Sequence, residues 1–177
     1  RIVPDGDPKV GSAQTLSLVS APPGAPLPGP VLKITYSAEP GWKFFRLVPL
    51  DAKLRKIEGK PQALSVWVYA DGSNNALRLR FVDATGQTFQ PDGPALAWKG
   101  WRHVTFALDG TLAGHWGGAN DGKVNWPIRF DSVLLIDSRR QGTKAGELYV
   151  APPVLVYRQL RSEATNPNCS SDQGGCR

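Results

Sequence analysis

The sequence predicts an all-β protein, a two-sheet antiparallel β-sandwich of the jelly-roll kind. Three observations predict it. Short runs in which apolar and polar residues alternate recur along the chain, and period-two alternation marks a half-buried strand. Clusters of Asp-Gly, Gly and Pro separate the runs, with 19 Gly and 16 Pro among 177 residues, and such punctuation marks turns. Glutamate is confined to Glu39, Glu58, Glu147 and Glu163, which leaves few segments able to form a long helix. An apolar content of 41% in a chain of this length supports one domain with its own hydrophobic core.

Arg1 to Ala13 is broken by Gly and Pro and reads as irregular. Thr15 to Ser20 alternates and is the first strand. APPGAPLPGP, Ala21 to Pro30, must be a loop, because proline cannot donate to a ladder. Val31 to Ser37 alternates again, with Leu32, Ile34 and Tyr36 on one face. Trp42 to Leu50 is the next candidate strand. In the basic stretch that follows, Leu50, Leu54 and Ile57 have helix-like spacing that allows a short turn; the stretch reads as a loop after a strand ending near Leu50.

The block from Leu64 to Phe106 is clearer. Leu64, Val66 and Val68 alternate with Ser65, Trp67 and Tyr69. Leu77, Leu79 and Phe81 alternate with Arg78, Arg80 and Val82, and Val104, Phe106 and Leu108 with His103, Thr105 and Ala107. Each of these strands has an apolar side for the core and a second side for something else. Val133 to Asp137 reads as a buried strand. Glu147 to Tyr157 reads as a last strand that Pro152-Pro153 interrupts, which implies a bulge or an edge. About eight strands in this order suggest a jelly roll. The sandwich is expected over residues 1–160, and a polar extension over 161–177.

The run of motifs WVYADGS, LRLRFVDATGQTFQ, WKGWR, HWGG and PIRFDSVLLID resembles that of carbohydrate-binding-type modules with the galactose-binding-domain-like β-sandwich. Such modules are appended to bacterial extracellular glycosidases and surface proteins. The resemblance spans roughly residues 31 to 157 of the jelly roll. It implies an exported protein that binds a glycan, or a structural spacer. Many relatives end a late strand with an Asp pair that helps to hold a structural calcium. Here that stretch is Tyr149-Val-Ala-Pro-Pro153, so no cofactor is expected, although Asp5, Asp7 and Glu147 remain as cation ligands.

Glycan recognition uses flat aromatic faces for stacking and planar polar groups for hydroxyls. Trp116 and Trp126 flank the Gly-rich loop and are the aromatic candidates, since loops on a rigid sandwich often carry binding; plugging the end of the core is their alternative role. Arg78 and Arg80 leave one strand on one face and, with His103 and Tyr69, are the polar candidates on a cationic sheet face, suited to an acidic sugar. Packing against tryptophan is the competing role for the arginines. Trp67, Trp98 and Trp101 are expected to cover the sandwich edge.

Enzymatic chemistry has weaker support. Only two histidines, His103 and His115, are present, and no HExxH or GxSxG motif occurs. Asp5, Asp71, Asp92, Asp109 and Asp121 each precede Gly and read as turn residues. A polysaccharide lyase or hydrolase is therefore a minor alternative to a non-catalytic module. A second alternative is a structural subunit or interaction domain of a cell-surface assembly or homo-oligomer, with Arg1 to Ala13 or the tail as an arm onto an open strand edge.

The formal net charge is 21 − 15 = +6, which attracts anionic partners, but no nucleic-acid module appears and none is expected to bind. The densest basic segment, Arg46 to Lys60, reads as a solvated strand and loop. No run of roughly 18 apolar residues predicts a transmembrane helix. The chain begins at Arg1 and contains no Met, as in a processed secreted protein or an excised fragment. Cys169 and Cys176, in CSSDQGGC, read as a small disulfide loop in an oxidising compartment, with two free thiols as the alternative.

Overall fold

The computed structural model describes residues 1–138 and 144–158. Among these, twelve strands follow one another: β1 (Ile2–Gly6), β2 (Ser12–Ser20), β3 (Pro30–Ala38), β4 (Lys43–Leu47), β5 (Ala63–Asp71), β6 (Ala76–Val82), β7 (Thr88–Ala95), β8 (Lys99–Ala107), β9 (Ala113–Trp116), β10 (Arg129–Asp137), β11 (Ala145–Val150) and β12 (Val154–Val156). They form two antiparallel sheets. The first has the order β1-β4-β10-β6-β7-β9. The second runs β2-β3-β11-β5, with β8 on the far side of β5 and β12 on the β11 side. The all-β sandwich read from alternation is the observed architecture.

The strand count exceeds the expectation because β1, β9 and β12 are short, at five, four and three residues. Arg1 to Ala13 is not irregular. β1 pairs with β4, Ile2 opposite Leu47 and Gly6 opposite Lys43, and the N-terminal ammonium donates to the Val48 carbonyl at 2.9 Å. The segment is an integral strand, so it is not a free arm. β4 ends at Leu47, and a 3-10 turn over Lys53–Arg55 follows. The helix-like spacing there has a cause: the turn delivers Ile57, 1% exposed, into the core. Its N–H donates to the Ile128 carbonyl.

Pro152-Pro153 interrupts the last strand as expected. β11 sets Tyr149 and Val150 opposite Tyr69 and Val68, and after the break β12 sets Val154 opposite Ser65 on the same side of β5. Between the sheets lie Phe45, Leu77, Leu79, Phe81 and Phe89 from the first and Ile34, Leu64, Val66, Val68, Phe106 and Leu148 from the second, all buried. Phe81 and Phe89 stack at 5.2 Å between centroids. Each such side chain contributes about 1.5–3 kcal/mol on burial.

One end of the sandwich is closed by polar groups. The buried Tyr36 hydroxyl accepts a hydrogen bond from Asn75 Nδ2 at 2.6 Å and donates toward Ser73 Oγ and Asp71 Oδ2. Asp71 also accepts the Ser73 and Glu147 N–H groups. A Cβ on Gly146 would collide with the Asp71 carboxylate and the Tyr36 hydroxyl, so only glycine lets β11 approach here. The network ties β3, β11 and the β5–β6 connection together. Burial, with the nearby Asp71 charge adding to it, pushes the Tyr36 phenol up to about 12.

A phenol whose folded value is raised holds its contribution below its ordinary value of 10.0 and loses it as pH climbs toward the folded value. Denaturant unfolding should therefore show stability falling above pH 10. Tyr36→Phe should reduce that alkaline loss and cost about 1–3 kcal/mol at neutral pH, because it leaves buried polar partners unsatisfied. An unchanged alkaline limb in the variant would contradict this assignment.

Candidate functional site

The outer face of the first sheet carries a ladder of paired charges. Leu77, Leu79 and Phe81 point into the core, so Arg78 and Arg80 emerge together on the opposite side of β6. Arg78 lies between two neighbouring strands: its Nε donates to Asp92 on β7 and its Nη1 to Asp137 on β10 at 2.6 Å. Arg80 donates from Nε and Nη2 to Gln90 Oε1 on β7, at 2.9 and 2.7 Å. Its Nη1 lies 3.8 Å from Asp131 on β10. Arg46 on β4 donates to both oxygens of Asp131 and is in ion-pair contact with Asp5 on β1 at 3.1 Å.

Four carboxylates (Asp5, Asp92, Asp131, Asp137) thus meet three guanidiniums (Arg46, Arg78, Arg80), for a local sum of 3 − 4 = −1. Each of these three arginines already holds a carboxylate, so the ladder itself is not cationic. Arg78 and Arg80 are largely shielded, with side chains 15% and 17% exposed.

Aromatic rings frame the ladder. The Arg80 guanidinium lies 5.4 Å from the centroids of both Phe44 on β4 and Trp116 on β9, in cation–π range. Trp42 tilts against Phe44 at 5.5 Å. Phe44 is buried beneath these neighbours, whereas Trp116 is 45% and Trp42 63% exposed.

The loop that follows Trp116 is held from below. Asp83 Oδ1 accepts the N–H groups of Thr85 and Gln87 and the Thr85 hydroxyl, and Oδ2 accepts Asn125 N–H and Nδ2. Gln87 reaches Asp121 and the Lys123 carbonyl, and accepts the Gly122 N–H. Thr85 Oγ1 accepts the Ala119 N–H. Gly118, at φ +50°, sits so close to the Gln87 backbone that no Cβ fits. The DATG turn and the Gly-rich loop are one packed unit.

Burial alone would raise all three of Asp83, Asp131 and Asp137. At Asp83 the Thr85, Asn125 and Gln87 donors outweigh it, and the carboxyl is lowered. At Asp131 the Ser132 hydroxyl with Arg46 and Arg80 does the same. At Asp137 burial prevails over Arg78, and the carboxyl is raised.

The six candidate ligand residues do not converge. Arg78, Arg80 and Trp116 share the first sheet's outer face. Tyr69 and His103 lie on the outer face of the second sheet. There Tyr69 stands edge-on to Trp101 at 5.5 Å and Tyr149 at 5.6 Å, and His103 packs on Trp67 at 4.9 Å. They are on the other side of the core from the ladder and belong to no site with it. Trp126 is half-buried against the core, which takes its ring out of the exposed set. Trp67 lies within β5 and pairs with His103, so it does not cover a sandwich edge. Trp98 packs on the core and donates Nε1–H to the Gly100 carbonyl.

Phe44, Arg46, Gln90, Asp131 and Asp137 complete the face without having been singled out for a site; Asp5 was read as a turn residue and cation ligand, Asp92 as a turn residue, and Trp42 as one of the available aromatics. A signal existed for some. In WKFFRL the burial of Phe45 forces Phe44 and Arg46 outward, next to each other.

The three carboxylates considered for a cation do not meet. Asp5 engages Arg46, Asp7 accepts the Lys9 N–H, and Glu147 binds Lys33 at 2.8 Å on the other sheet. No group of three His, Cys, Asp or Glu side chains placed to hold a metal occurs among the described residues. Cys169 and Cys176 lie outside the described residues. No helix among the described residues is long and apolar enough to cross a membrane.

No protein-family model matches the chain, and no curated protein is similar to it in sequence. The fold is similar to that of the family 11 carbohydrate-binding module of the cellulosomal cellulase Lic26A-Cel5E of Clostridium thermocellum, with a TM-score of 0.57 and 10% identity over 89% of this chain and 87% of that one. At this identity the likeness is one of fold, a two-sheet antiparallel β-sandwich.

A carboxyl whose folded value is lowered stabilises the fold above its ordinary value of 3.8, and that contribution is lost as pH falls through the folded value. Asp131→Asn should cost about 1–2 kcal/mol at neutral pH and flatten the acid limb of denaturant unfolding below pH 3.8. An acid limb as steep as in the parent protein would contradict the role given to Asp131.

Proposed function

We propose that the protein is a non-catalytic carbohydrate-binding module whose ligand lies on the outer face of the first sheet. The observation that carries this reading is the Trp116 ring, 45% exposed, resting on a guanidinium that Gln90 holds in place. A pyranose offers C–H groups to such a ring and hydroxyls to planar polar groups beside it. The ladder supplies carboxylate, amide and guanidinium groups already fixed by one another, so little ordering remains to be done on binding.

The charge sum of the ladder favours a neutral polysaccharide. An anionic sugar would have to displace a carboxylate from each arginine it met. The structural neighbour, a module of a cellulase, makes neutral glucans the first ligands to try. It also suits a secreted or cell-surface setting, as does the CSSDQGGC loop if its cysteines pair. Binding without cleavage is the expected activity, since fold does not decide chemistry and the Asp carboxylates of the face serve as partners of arginine.

Affinity electrophoresis in gels containing mixed-linkage glucan, xyloglucan or polygalacturonate tests the reading. Retardation should occur with a neutral polymer and not with polygalacturonate, and no new reducing ends should appear. Trp116→Ala should weaken binding by about 2 kcal/mol, the loss of an aromatic anchor, or roughly thirtyfold. His103→Ala, on the other sheet, should leave it unchanged. Retardation by polygalacturonate alone, or equal retardation of parent and Trp116→Ala, would sink the proposal.

A further inference from the structure

The strands at the sheet edges are not alike. An edge presents unpaired N–H and C=O groups, and native proteins blunt it with short strands, proline, charge or bulges. β1, five residues long, carries Pro4 and Asp5, and β9 has only four residues. β8 is nine residues long but carries Lys99, Arg102 and His103. β2 is also nine long, reads SAQTLSLVS, and has no charge, proline or glycine. It pairs with β3 without a bulge from Ser12 opposite Ala38 to Ser20 opposite Pro30. Among the described residues no strand pairs with its other side.

Leu18 is a second, independent observation. Gln14, Leu16 and Leu18 share one side of β2. Leu16 packs against the core, but Leu18 is 67% exposed. The apolar row of this strand continues past the core into solvent, at the one long edge without protection.

We propose that β2 pairs antiparallel with β2 of a second copy of this chain, about a two-fold axis through Ser17. In that register Leu16 of one copy faces Leu18 of the other on the inner side, and Thr15 faces Val19 on the outer side. The four leucines cover one another, and the free backbone groups of both strands enter a ladder. The strand is suited to its own copy: it brings no charge to the axis, although the chain carries +6 overall. Self-pairing through β8 would instead bring two copies each of Lys99 and Arg102 into one junction, adding to the repulsion between chains that each carry +6. The contact is isologous and closes at two copies. Because β2 belongs to the second sheet, the charged ladders of both copies stay open.

Light scattering coupled to size exclusion, with sedimentation over a dilution series of the full chain, tests this directly and needs no glycan. The expected result is a dimer that dissociates on dilution. Leu18→Lys, and separately Ser17→Lys, should each weaken dimerisation at least tenfold, with an unchanged circular dichroism spectrum. Leu112→Ser, at a turn leucine 93% exposed and away from the edge, should leave the dimer intact. A monomer at every concentration would overturn the proposal, as would an oligomer that neither lysine variant weakens. Glycan retardation of the Ser17→Lys monomer separates this contact from the binding face.

Discussion

The packing of β6 is the constraint on which the rest of the face depends. Leu77, Leu79 and Phe81 are each fully buried, and a slip of one residue would exchange them with Arg78 and Arg80. Any odd slip would put the two guanidiniums in the core. With β6 fixed, its neighbours fall into place: β10 brings Asp131 and Asp137, and β7 brings Gln90 and Asp92. Hydrophobic burial thus sets the position of the polar groups, and the polar groups then set one another.

That order of causes explains why the face is rigid without being a core. Each guanidinium is held by acceptors on two neighbouring strands, as Arg78 is by Asp92 and Asp137. The guanidiniums of these pairs are shielded rather than exposed, so beyond a modest contribution to stability the pairs fix the positions of the groups they join. Phe44 and Trp116 lie against Arg80, and Trp42 packs on Phe44, so the indoles of Trp42 and Trp116 are accessible beside the carboxylates of Asp5 and Asp92. A polar surface fixed before the ligand arrives, with aromatic rings at its rim, is what hydroxyl-rich ligands require.

Much of the fold was legible in the alternation of LSVWVY, LRLRF and HVTFAL, because a buried face imposes period two directly on the sequence. β1 was not legible, since Gly and Pro hide a five-residue strand whose partner, β4, lies far along the chain. The site was legible only in part. Arg78, Arg80 and Trp116 could be singled out by type and position, but which face each strand turned to which sheet is a tertiary fact. Tyr69 and His103 therefore lie on the opposite side of the sandwich from the arginines they were grouped with, and Trp126 packs half-buried against the core. The acidic partners of the arginines were missed for a plainer reason: Asp5 and Asp92 precede glycine and read as turn residues, yet both also point onto the ladder.

The central claim is that glycan contacts the first sheet's outer face and not the second's. The most direct measurement is a titration of 15N-labelled protein with a soluble neutral glucan oligosaccharide, following the tryptophan Nε1–H and arginine Nε–H signals. The account predicts saturable shifts at Trp42, Trp116, Arg78 and Arg80, with Trp67 and Trp101 unmoved. Shifts at Trp67 and Trp101 with the ladder signals unmoved would contradict it.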